Sequence, residues 1–189
     1  MKIKTTKPYL IEGQIIPKDT ELHIVESPNR IAKLFEKLKE DFNELFSLFD
    51  EYIILFHEDD LSEKLELNEE RTKQENELLE AIKKLIQRIL KDIESIINAL
   101  KNKKKCEDVH EANLNLVDLT GTYSYLFGRY SNLKSNDSDL KKLFDKMNQS
   151  MKEFNSKIKE YNDATDATDE KLYTVEEALK EFLKNSPRF

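Results

Sequence analysis

ELLEAIKKLIQRILKDIESIINAL, residues 77–100, is the longest unbroken amphipathic pattern in the chain. Leu78, Ile82, Leu85, Ile89, Ile93, Ile96 and Leu100 recur at steps of four, three, four, four, three and four, and Leu79, Ile86, Leu90 and Ile97 run beside them. Side chains three and four residues apart share one face of a helix. Two adjacent stripes make an apolar face broader than a two-stranded coiled coil requires, which predicts a helix laid against several others. Lys83, Lys84, Arg88, Lys91, Asp92 and Glu94 occupy the opposite face, with Glu80 one turn before Lys84.

The composition agrees with that pattern. Among 189 residues there are only three Gly and four Pro, against 37% charged residues, ten Phe and no Trp. Such a balance belongs to long helices with few turns, in a chain long enough to bury a core without staples. A formal charge of -7 and a pI of 5.2 argue against general affinity for nucleic acid or an anionic membrane. Cys106 is the single cysteine, so no intrachain disulfide forms and a reducing interior fits best. No apolar run approaches the ~20 residues that cross a bilayer, and MKIKTTKPYLIEG lacks the apolar centre of a secretory signal. The expectation is a soluble, cytoplasmic chain, free or inside a phage particle, without a membrane partner.

Outward from residues 77–100, three regions are expected: a β-hairpin over 1–26, a helical bundle over 27–161, and a linker with a short C-terminal helix over 162–189. In the first, Tyr9, Ile11, Ile15, Ile16, Leu22, Ile24 and Val25 are strand formers, and Gly13 and the run from Pro17 to Thr20 supply turn signals. In the second, Ser27 and Pro28 cap and open a helix whose apolar residues run from Ile31 through Phe35, Leu38, Phe42, Leu45 and Phe49 to Phe56. Asp60 and Glu63 have the spacing of a capping box. The charged stretch over 61–76 is expected to be a helical extension, because 69–77 contains no Gly or Pro. A basic run over 101–105 closes the helix where its dipole favours positive charge.

A third helix carries Val109, Leu116, Leu119, Tyr123, Leu126, Phe127 and Tyr130, with Leu114, Val117, Gly121, Ser124 and Gly128 on a second face. Glycine inside a helix costs about 1 kcal/mol relative to alanine, so Gly121 and Gly128 predict another backbone passing close by, with a break or kink at Gly121 as the competing reading. A fourth helix shows a narrower stripe of Leu140, Phe144, Met147, Met151, Phe154, Ile158 and Tyr161, expected at the bundle edge or against a second copy. ATDATD then reads as a linker, and Thr174 with Glu177 as a capping box opening the last helix. The fold class is thus mainly α: an N-terminal β-hairpin, an antiparallel bundle of about four long helices, and a short C-terminal helix.

Chemistry-bearing groups do not gather. Glu107 and His110 have the Glu-x-x-His spacing of di-iron bundles, and His57 and Glu58 could join them, but no second such pair exists, so no metal or other cofactor is expected. Cys106 follows lysines that favour a thiolate, yet His110 alone does not complete a catalytic arrangement. Lys141, Lys142, Lys146, Lys152, Lys157 and Lys159 decorate one helix with acidic residues between them. LYTVEEALKEF, residues 172–182, resembles the opening helix of excisionase-type winged-helix domains, but no second helix follows to enter a groove.

The expected function is therefore a non-enzymatic structural or interaction subunit of a larger assembly, such as a phage particle, a secretion device or a defence complex. It would work through a protein partner or self-association, with strand addition by the hairpin. The interface residues expected are Tyr52, Ile53, Phe56, Gly121, Ser124, Gly128, Met147, Met151, Phe154 and Ile158. The alternatives are a bundle seating a small molecule beside Tyr123, Tyr125 and Tyr130, or an atypical DNA-associated regulator.

Overall fold

A computed structural model of the chain describes residues 2–4, 8–11, 14–23, 31–58, 65–102, 106, 108–133, 137–165 and 171–186. They fall into two compact units, Met1–Arg30 and Ile31–Phe189. The chain is mainly α, with five helices among the described residues, all in the second unit.

In the first unit β1 (Lys2–Lys4) pairs antiparallel with β4 (Glu21–His23), and β2 (Tyr9–Ile11) with β3 (Gln14–Ile16). Asp19 adopts φ 65°, a conformation aspartate tolerates, and the Thr20 hydroxyl donates to the Pro17 carbonyl at 2.7 Å, tying the turn before β4. Paired segments of three residues are marginal in water and do not establish the expected hairpin as a stable module.

The second unit holds α1 (Ile31–Glu58), α2 (Leu65–Lys101), α3 (Val109–Asn132), α4 (Ser138–Asp163) and α5 (Val175–Asn185). On α1 the fully covered residues Phe35, Leu38, Phe42, Leu45, Phe49 and Tyr52 step by three and four. Leu140, Phe144, Met147, Met151, Phe154 and Ile158 do the same on α4. A stripe repeating every seven residues keeps facing the same neighbours and favours helices lying nearly along one another. The charged stretch before residue 77 and the core stretch after it form one helix, since α2 runs unbroken from Leu65. The capping residues expected at Ser27, Pro28, Asp60 and Glu63 lie outside the described residues, as do residues 103–105 of the basic run. The Thr174 and Glu177 capping box is present, while Asp108 and Asp137 cap α3 and α4.

Side-chain pairs give the helix directions. Lys37 meets Asp92 and Asp41 meets Arg88, so α1 and α2 are antiparallel. Phe42 meets Tyr123 and Phe49 meets Tyr130, so α1 and α3 are parallel. Phe35 meets Phe154 and Phe49 meets Phe144, so α4 opposes α1 and runs with α2. Directions alternate along the chain, yet α1 lies directly against α2 and α3, and α2 against α4. Two of the side-by-side pairs are therefore parallel, unlike a simple antiparallel bundle. The step from α2 to α3 crosses the bundle.

One apolar cluster joins all five helices. α3 and α4 communicate through long side chains: Tyr130 stacks on Phe144 at 3.8 Å, Phe127 contacts Phe144 at 5.7 Å, and the Tyr123 hydroxyl donates to Asn148 Oδ1 at 2.9 Å. α5 packs on α3, and the Phe182 ring covers Gly121. The close approach expected at Gly121 is thus made by an aromatic ring and not by a backbone. Gly128 is exposed with open space where a Cβ would stand, so it accommodates no neighbour.

The two glycines should respond in opposite senses. Gly128→Ala is expected to raise stability by up to ~1 kcal/mol through helix propensity alone. Gly121→Leu should lower it, because the new side chain overlaps Phe182; chemical denaturation of both variants checks the contrast.

Candidate interaction surfaces

The ten expected interface residues separate into three groups. Met147, Met151, Phe154 and Ile158 are buried in this chain's own core, as is Tyr52, which leaves them no surface to offer a partner. The narrow stripe of α4 is covered because α2 packs against the helix and aromatic rings of α1 and α3 reach the stripe, so it is not the edge face the sequence implied. Gly121 is buried under Phe182. Ser124 and Gly128 are exposed and Ile53 is half-buried, while the side chain of Phe56 lies outside the described residues.

The end of α1 is not the most enclosed part of the molecule. Ile54 is 55% exposed, and together with Leu55 and Leu78 it lines a groove of about 500 Å³ between α1 and α2. Glu51, Gln74 and Glu77 rim it. An exposed isoleucine among half-buried leucines, rimmed by acidic and amide groups, has the makeup of a surface that seats apolar side chains from another protein.

The remaining candidates are less able to act. A groove of about 720 Å³ between α2 and α4 brings Lys83, Lys84, Lys142 and Lys146 together with Glu80, Asp139 and Asp145. Those charges are interleaved, and Lys142 is paired with Asp139, Lys157 with Glu160 and Lys159 with Glu176, so the α4 lysines do not form a continuous basic track. Beside Tyr123 the space is occupied by rings, Phe127 at 4.8 Å and Phe42 at 5.7 Å. Burial pushes the Tyr123 phenol up to about 12, the behaviour of a packed hydroxyl. Among the described residues no group of three His, Cys, Asp or Glu could hold a metal ion. His110 is exposed, Cys106 is buried with its N–H donating to the Tyr161 hydroxyl, and Glu107 and the side chains of His57 and Glu58 lie outside the description. No helix among the described residues is long and apolar enough to cross a membrane.

Two polar features were not anticipated. The first is a seam between α1 and α2. Arg88 forks onto Asp41 at 2.7 and 3.2 Å and onto Glu44 at 2.6 Å, while Lys37 holds Asp92 at 2.7 Å. Burial raises the Asp41 pKa and the neighbouring Asp92 carboxyl adds to the rise, with Arg88 opposing both.

The second is a set of asparagines, Asn113 on α3 with Asn155 and Asn162 on α4, that hold residues 171–176. Asn162 was expected to start the linker, but it is buried in the last turn of α4. Its position four residues after Ile158, on the apolar stripe, was the available signal.

Comparison with protein-family models, curated proteins and solved structures finds no match to this chain.

Asp137 gives a pH-dependent test of how α4 is anchored against α2. The Leu140 backbone N–H holds its carboxyl below the usual range; burial opposes this, and the Lys83 ammonium adds to the lowering. A carboxyl depressed in the folded state contributes stability that is complete above its unfolded pKa and lost as pH falls through the folded one. Asp137→Ala should therefore cost about 1 kcal/mol near neutrality. Urea melts should show that difference closing in strong acid.

Proposed function

We propose that the chain is a non-enzymatic structural or protein-interaction subunit of a larger assembly, of the kind found in a phage particle, a secretion device or a defence complex. It acts by packing helices against a partner or a second copy. The observation that carries this reading is the apolar groove at Ile54, Leu55 and Leu78, open to solvent where α1 lies against α2. Within the same reading, the N-terminal unit is a β-hairpin that adds a strand to a partner's sheet edge. Support for that part comes from antiparallel pairing of Tyr9–Ile11 with Gln14–Ile16 and from Ile15, which is 75% exposed.

Light scattering over a concentration series, on the full chain and on Ile54→Glu, tests the groove. Residue 54 is exposed, so the variant's own stability should change by no more than about 0.5 kcal/mol. If copies associate through the groove, the mass of the unaltered chain rises with concentration and the variant loses that rise. If the partner is another protein, a photoreactive side chain at position 54 traps one defined adduct that position 141 does not. A chain that stays monomeric and traps nothing at position 54 contradicts the proposal.

A further inference from the structure

The last described segment, residues 171–186, is held largely through its main chain. Asn162 Nδ2 donates to the Leu172 carbonyl at 2.8 Å, and Asn162 Oδ1 accepts from the Leu172 N–H at 3.0 Å. Asn113 repeats the arrangement from the other side, donating to the Lys171 carbonyl at 3.1 Å and accepting from the Tyr173 N–H at 2.8 Å. Asn155 accepts from the Val175 N–H at 2.9 Å and donates to the Glu176 carboxylate. A side-chain amide presents one donor and one acceptor side by side, as a strand edge does. The groove between α3 and α4 therefore grips extended backbone much as a sheet grips an added strand, with little dependence on the residues being held.

Specificity comes from three anchors in fixed register. Leu172 is 1% exposed, Ala178 is fully buried, and Phe182 lies over Gly121 and forms a T-shaped pair with Tyr125, ring centres 5.9 Å apart. The Thr174 and Glu177 capping box fixes where the extended part becomes helix. The connection back to α4 includes residues 166–170, DATDE, with no apolar side chain larger than alanine.

We propose that this arm is exchangeable: the groove between α3 and α4 takes the same arm from a second copy of the chain, and copies associate by exchanging residues 171–186. A second copy is the occupant because it carries the leucine, capped threonine, alanine and phenylalanine in the register the groove accepts. The hydrogen bonds and anchors that an arm gives up in its own chain are remade in the other, so the balance is set by the connecting residues and by concentration. The surface is separate from the groove at Ile54, and association through either can fail without the other.

Two full-length variants test the exchange. Gly121→Leu obstructs the groove and leaves the arm intact. Leu172→Asp with Phe182→Ala disables the arm and leaves the groove intact. Each alone should be monomeric by light scattering, and an equal mixture should yield a species of doubled mass, because the intact arm and intact groove have no competitor within their own chains. In a third chain, residues 164–170 are replaced by the helix former AEAAAKA, which carries α4 straight on so that the arm cannot turn back. That chain should form dimers or longer species, and it decides the matter if Gly121→Leu fails to fold. A mixture of folded variants that stays monomeric, or a straightened chain that stays monomeric, overturns the proposal.

Discussion

Three phenylalanines seven residues apart on α1, Phe35, Phe42 and Phe49, are the constraint from which the arrangement of the bundle follows. All three are fully buried, and each meets an aromatic ring of another helix. Phe35 reaches Phe154 on α4, Phe42 reaches Tyr123 on α3, and Phe49 reaches both Tyr130 on α3 and Phe144 on α4. Side chains of this size, each worth ~2–3 kcal/mol when buried, let α1 touch α4 across the bundle while lying directly against α2 and α3. Polar pairs on the flanks add register to that packing. The Arg88 fork onto Asp41 and Glu44 matches one turn of α2 to one turn of α1, and sliding either helix would leave the buried Asp41 without its cation. On the other side Arg129 pairs with Asp50 and lies over the Phe46 ring, tying α3 to the same helix.

A consequence is that α3 and α4 meet through side chains reaching across a gap. At one end the gap is filled by Tyr123, Phe127, Tyr130 and Phe144, and at the other by residues 171–186. The first filling is covalently part of the helices it joins. The second is a separate segment held by asparagine amides.

Much of this was legible in the residues. The three-and-four steps of α1, α2 and α4 identify helices and their inward faces, and Thr174 with Glu177 marks the start of α5, because periodicity and capping are local. Pairing of faces is not local. Met147, Met151, Phe154 and Ile158 form an apolar stripe whether a second copy or their own chain covers it, and only the fold shows that their own chain does so. Chain order favours neighbours in sequence, so the parallel packing of α1 with α3 and of α2 with α4 could not be read from the loops. Gly121 announced a close approach but not that a ring would make it. Asn162 reads as the start of the linker, and nothing in the sequence marks Asn113 or Asn155, since the main chain they hold is remote in sequence from α3 and has no periodicity of its own.

If α1 is the structural axis, residues 171–186 are the segment of the core that opens most readily, since they join it through a single neighbouring helix and asparagine amides. Native-state hydrogen exchange, followed residue by residue, separates the two. Amides from Phe35 to Phe49 are then expected to exchange slowest, at the rate set by global unfolding, while those of α5 exchange faster through an opening that leaves α1 protected. Equal protection of α5 and α1, or faster exchange along α1 than along α4, would contradict that hierarchy.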